Sequence, residues 1–298
     1  MGRAKKASRE AVWRNNQSYL YYYNRLKDLA ISRFRWKNLP DTMDARFFEL
    51  ALYEQGFAVG FKDEVMGVLG LQVIIGGQLD VYNNPVMRTA YANNGYQKIL
   101  TPDDSVLCWN NRVRQPCFQA IDFYAYKLYE LDRTIDVNIR AQRTPIMVLA
   151  DVNQRLTMKN MYAQYDGFEP FIFGGNKLEL DNLRALKTDA PYVADKVQTQ
   201  KENVWNEALT YLGISNISVT KKERLISDEV QRGMGGTYAS RNSFLSMREK
   251  FCDEMNKMFG LNMSVEFNEE IEDENYDEKN LFRSYSNDST LKGGGDSE

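Results

Sequence analysis

The chain has 298 residues, 43% hydrophobic and 12% aromatic, enough apolar matter for one large or two ordinary folded domains. It carries 38 basic against 41 acidic side chains and no histidine, which excludes Ser-His-Asp triads, Cys-His dyads, histidine metal sites and histidine acid–base chemistry. No stretch approaches the ~20 apolar residues of a membrane helix, and Cys108, Cys117 and Cys252 lack CxxC spacing, which fits buried reduced thiols better than disulfides or zinc.

The charge is unevenly placed. Residues 1–37 hold ten Lys/Arg against Glu10 and Asp28, a balance of +8, whereas from Glu266 onward eleven acids face three bases, a balance of −8. A basic arm and an acidic tail point to polyelectrolyte partners, one end attracted and the other repelled. The opening MGRAKKASRE is basic but lacks the apolar core of a secretion signal, so the chain is expected to be kept in a cytoplasm.

In chain order, Tyr19, Tyr22, Tyr23, Leu26, Leu29, Ala30 and Phe34 recur at helical steps and predict an amphipathic helix over 10–37. "NLPDTMD" breaks it and caps a second helix carrying Phe47, Phe48, Ala51 and Leu52. From Gly56 the pattern becomes strand-like: "GFAVGFKD", "VMGVLGLQVII" and "QLDVYNNP", with a turn at Asn83–Pro85. A long helix follows Pro116, its stripe being Ile121, Tyr124, Leu128, Leu131, Ile135 and Ile139.

The segment 144–187 reads as an inserted module: strand "TPIMVLA", a short helix around Met158–Tyr165, strand "PFIFGG", then a mixed run. A helix over 191–212 follows, with Thr188 or Asp189 to cap it, Pro191 in its first turn, Val193, Val197, Val204, Leu209 and Leu212 buried, and Gly213 as its stop. "SNISVTKKERLISDEVQRGMGG" reads as a mobile functional loop, followed by a helix over 240–259, the strand "LNMSVEF" and, beyond about Glu270, disorder.

No catalytic constellation stands out. "GMGGTY" lacks the lysine of a phosphate-binding loop, "PDDS" at 102–105 reads first as a turn, and the acids at 269–278 lack the glycine and spacing of a calcium loop. The cationic signal is better: Lys187, Lys196, Lys221 and Lys222 all fall on 187–233, and Lys196 sits at the positive end of a helix dipole, where a cation is mildly unfavourable. In one copy four exposed lysines bind little; repeated around a symmetric ring they would face a polyanion from every side. From residues alone the alternatives stay open: a metal-dependent nucleic-acid enzyme using Asp103 and Asp104, or a monomeric RNA-binding protein.

"LKTDAPYVADKVQTQKENVWNEALTYLGI" with "KKERLISDEV" closely resembles the portal protein (upper collar, head–tail connector) of short-tailed, protein-primed, Bacillus-infecting phages. "WKNLP", "GFAVGFKD", "GQLDVYNNP", "AQRTPIMVLAD", "MYAQYDGFEPFIF" and "KFCDEMNKMFGLNMSVEF" extend the resemblance in order over about 36–267. It implies an α+β, mainly α fold without enzymatic activity or cofactor, assembled as a homo-dodecameric ring around a channel for double-stranded DNA. It further implies a basic arm over 1–15, stem and channel helices within 16–55, 117–143 and 192–214, and a wing from 56–116 and 234–270. An SH3-like narrow-end module over 145–189, a channel loop over 216–233 and an acidic tail over 271–298 complete the scheme. Lys187, Lys196, Lys221 and Lys222 then become channel lysines, and Arg3, Lys5, Lys6 and Arg9 contacts to a packaging RNA or the capsid vertex. The remaining implied partners are major capsid and scaffold proteins, a packaging ATPase and lower-collar or tail proteins, with no membrane. The implied location is the virion's portal vertex, and the host cytoplasm during assembly.

Overall fold

The computed structural model describes residues 2–142, 146–149, 171–174, 191–215 and 227–270. They form, in order, α1 (Gly2–Ser32), β1 (Phe34–Lys37), α2 (Ala45–Gln55), β2 (Phe57–Asp63), β3 (Gly67–Leu79), β4 (Pro85–Tyr91), β5 (Gln97–Leu100), β6 (Ser105–Trp109) and α3 (Phe118–Ala141). Then follow β7 (Ile146–Leu149), β8 (Phe171–Gly174), α4 (Ala194–Leu212), α5 (Ser227–Phe259) and β9 (Ser264–Phe267). The result is the expected α+β mixture with long helices. The chain divides into two units, Met1–Tyr126 with Trp205–Glu298, and Lys127–Val204; the division falls inside α3 and α4.

The first unit is built around a five-stranded antiparallel sheet of order β5-β4-β3-β2-β6. The sheet curls strongly, because residues on strands that are not neighbours meet across it. Tyr96, just before β5, stacks on Phe61 of β2 and donates its hydroxyl to Asp63 at 2.7 Å. Arg88 of β4 donates to the Ser105 carbonyl at the start of β6 at 2.6 Å. The inner face closes on Val59, Phe61, Val73, Ala90, Leu100 and Leu107. The first strand of this sheet lies between its second and its last. Of 145–189, where an SH3-like module is expected, the described residues are β7 and β8, which pair in parallel.

On the outer face, Gly60 and Gly70 lie opposite each other in register. A Cβ on Gly60 would come within 2.7 Å of Met255 and Phe251, and one on Gly70 within 2.5 Å of Met43 and 2.8 Å of Phe48. The glycine pair lets the apolar stripes of α2 and α5 seat directly on the backbone. Asp44 caps α2 by accepting from the Phe47 N–H at 2.8 Å. The stripe of α5 is Phe244, Arg248, Phe251 and Met255, all buried. Burial pushes the Cys108 thiol up and Cys252 up to about 12, so both stay protonated; all three cysteines are free and buried, as expected.

Several expected boundaries shift. The helix expected over 10–37 runs from Gly2 and stops at Ser32, because Phe34–Lys37 pairs with β9, Phe34 opposite Phe267 and Trp36 opposite Val265. That partner lies more than two hundred residues away and leaves no local mark. The turn expected at Asn83–Pro85 begins earlier: the Asp80 carboxylate accepts from the Tyr82 and Asn84 N–H groups at 2.8 and 2.7 Å and closes the β3–β4 connection. The loop expected over 216–233 is helical from Ser227 onward, in one helix with the stretch expected at 240–259. Its glycines each cost about 1 kcal/mol against alanine, a cost offset by the packed stripe downstream. The helix expected from 191 starts at Ala194, with Pro191–Val193 outside it. Ile139, at the end of the apolar stripe of α3, is exposed. The expected helix at Met158–Tyr165, the 216–226 part of the expected loop and the tail beyond 270 lie outside the described residues.

Candidate nucleic-acid interface

Lys196 lies in the first turn of α4, on the second unit, and is exposed. The start of that helix is clamped from α3. Asn138, buried, donates through Nδ2 to the Pro191 carbonyl at 2.9 Å and accepts at Oδ1 from the Val193 N–H at 3.0 Å. One amide thus satisfies a helix-end N–H that has no partner within the helix. The first intrahelical bond runs from Val197 N–H to the Val193 carbonyl at 3.0 Å. Asp195 complements the dipole beside Lys196 and accepts from the Tyr192 hydroxyl at 3.0 Å. Lower on α4, Lys201 pairs with Asp132 of α3 at 2.5 Å. The outward residues Asp195, Lys196, Gln198, Thr199, Gln200, Glu202 and Asn203 make a polar, mixed-charge face. No ion pair involves Lys196 among the described residues.

Of the other expected site residues, Lys187, Lys221 and Lys222 lie outside the described residues. Arg3, Lys5, Lys6 and Arg9 fall in the first turns of α1. Asp104 is turned back on its own loop, accepting from the Thr101 N–H at 2.6 Å. Among the described residues no group of three or more His, Cys, Asp or Glu is placed to hold a metal ion, and no helix is long and apolar enough to cross a membrane.

Periodicity and motif matching missed a cluster of buried cations in the first unit. Arg248, 1% exposed, donates to Glu49 Oε1 at 2.8 Å and Oε2 at 2.6 Å, to the Asn110 carbonyl at 2.9 Å and to the Phe244 carbonyl at 3.1 Å. Trp36 donates its indole N–H to the same carboxylate at 3.0 Å. Burial opposes the Arg248 charge, and Glu49 reverses that effect by its charge and hydrogen bonds, leaving the guanidinium raised. Arg33, equally buried, stacks 3.8 Å from the Phe244 ring centre and donates to the Leu212 carbonyl at 3.1 Å; burial lowers it, with Arg248 adding to that effect. The visible signal was Arg248 inside the stripe Phe244–Phe251–Met255, a charge at a core position.

This α+β fold, with its curled sheet and long helices, is portal-like. The structure is similar to a chain in the portal and tail of native bacteriophage P68, with a TM-score of 0.50 at 17% identity, covering 90% of this chain and 91% of that one. The family model described as Phage Connector (GP10) matches residues 4–272, and the chain belongs to that family of head–tail connectors.

Proposed function

We propose that copies of this chain assemble into a dodecameric ring at one capsid vertex, forming the channel through which double-stranded DNA is packaged and ejected. The observation that carries this reading is the connector-family match across residues 4–272. A conduit must hold DNA without trapping it. Sparse lysine tiers on a polar wall, Lys187, Lys196, Lys221 and Lys222 from every subunit, meet a phosphate at any axial position, since a duplex presents a charge about every 1.7 Å. With α4 starting at Ala194, Lys187 and Lys196 are at most ~28 Å apart along the chain, so they form neighbouring tiers. The exposure of Lys196 on a mixed-charge face accords with weak, salt-screened contact.

In this reading Lys187 and Lys196 guide the duplex, and Lys221 and Lys222 retain it against backflow. Arg3, Lys5, Lys6 and Arg9 contact a packaging RNA or the capsid vertex. The ring also docks capsid and scaffold proteins, lower-collar and tail proteins and a separate packaging ATPase, which supplies the hydrolysis. It forms in the host cytoplasm and stays in the virion. Electron microscopy of the purified protein tests the assembly: closed rings with an axial opening are expected, and a monomer with metal-dependent cleavage of nucleic acid would overturn it. Shortening 216–233 with assembly intact is expected to give filled heads that leak; heads that hold their genome normally would remove the retention role.

A further inference from the structure

Within the first unit, a cavity of about 580 Å³ opens between the curled sheet and α5. Arg88 of β4 lines it and is 8% exposed. One guanidinium nitrogen is held by the Ser105 carbonyl at 2.6 Å and hydroxyl at 3.2 Å, while the buried Nε has no hydrogen-bond partner among the described residues. No carboxylate lies within ion-pair distance of it there. Burial lowers the guanidinium, with Glu254 and Asp104 acting against that from farther away. A buried cation in this state lacks an anion.

The rest of the lining sharpens the class of ligand. Lys250 and Lys257 add two cations from α5. Of the two acids, Glu254 is engaged by Lys250 at 3.7 Å, and Asp80 is consumed by its own turn. Trp109, Met247 and Met258 supply apolar wall. Carboxylates spaced along a peptide with apolar side chains suit this lining.

We propose that the cavity binds the acidic carboxy-terminal segment of the same chain, residues 271–298, with carboxylates at Arg88 and Lys257. The segment begins Ile-Glu-Asp-Glu-Asn-Tyr-Asp-Glu, with Glu272, Asp273, Glu274, Asp277 and Glu278 around Tyr276, and Leu281 and Phe282 beyond. The segment leaves from Glu270, which pairs with Arg35 of β1 at 2.5 Å, three residues after Phe267 of β9, whose ring centre lies 3.7 Å from the Arg241 guanidinium of α5. From Arg241 to Lys257 is about 24 Å of helix, which about eight extended residues span. A tethered acidic segment also competes at an effective concentration that a free partner peptide does not reach.

Hydrogen–deuterium exchange on the full-length protein tests this, comparing it with Arg88→Gln, with Lys257→Gln, and with a chain neutralised at Glu272, Asp273 and Glu274. Amides of 272–282 are expected to exchange at least about tenfold more slowly in the native chain than in either cation variant. Amides of 247–258 are expected to lose protection when the tail is neutralised. Lys257 is exposed, so its variant decides the matter where Arg88→Gln disturbs the sheet. Tail exchange that is fast in the native chain, or unchanged by both substitutions, would overturn the proposal and mark the cavity as open to another acidic partner. Neither outcome bears on ring formation.

Discussion

The buried arginines of the first unit and the exposed lysine of the second carry the same charge to opposite ends. Arg248 sits between an aromatic face and a carboxylate, 4.2 Å from the Phe34 ring centre and 2.6 Å from Glu49, with every donor direction filled. Arg33 continues the stack onto Phe244. Planar guanidinium suits this role, since it stacks and forks at once. Lys196 has only its stem and a hydrated point charge, on a helix turn that itself disfavours a cation. Desolvated charge fixes geometry; hydrated charge stays available to a partner. A count of Lys and Arg distinguishes neither use.

The sharpest way to break the contrast is at Glu49. Glu49→Gln leaves Arg248 buried without its counter-charge and is expected to cost about 3–5 kcal/mol, read from the urea midpoint. Replacing the pair together, Glu49→Leu with Arg248→Met, is expected to recover most of that loss, because two desolvation penalties vanish with the attraction. A single Glu49→Gln loss below about 1 kcal/mol would show that the pair does not hold α2 to α5.

A smaller effect is expected where the exposed lysine is positioned. Asn138→Ala strips the clamp from the Val193 N–H and the Pro191 carbonyl, a loss of about 1–3 kcal/mol for buried polar groups left unpaired. Amide exchange over 193–197 should quicken more than that of 204–212. Equal change along the helix would make Asn138 a general packing residue rather than a clamp.

These regions also differ in how far they could be read in advance. The α2 cap at Asp44, the stop at Gly213 with its φ of +78°, and the stripe Val204–Leu209–Leu212 were legible because caps and periodicity are local. The glycine-rich pattern of β2 and β3 was legible as strand, but not that Gly60 and Gly70 face each other under two helices. β4, β5 and β6 escaped notice because Gly95 and the Asp80 and Asp104 turns cut the run into short pieces. The Arg248–Glu49 pair joins residues 199 apart in sequence, and only the oddity of a charge in an apolar stripe hinted at it. Lys196 was legible as an exposed cation. What it faces is set by neighbouring copies, and one chain's sequence carries no period for that.

The smallest expected effect on the fold is at Lys196 itself. Lys196→Ala is expected to leave stability within about 0.5 kcal/mol, as for a surface position without special contacts, and removes a cation from the unfavourable end of α4. Its consequence belongs to the assembly. If Lys196 meets phosphate in a channel, rings carrying Lys196→Ala should bind duplex DNA with a shallower dependence on salt. The slope of log affinity against log salt should fall by about 0.9 for each phosphate that is no longer neutralised, uniformly over DNA sequences. Lys201→Ala is the matched control, because its ammonium is engaged by Asp132 and its removal should move stability more than the salt slope. An unchanged slope for Lys196→Ala, beside an intact ring, would place its side chain away from the duplex and leave Lys187 to carry that tier.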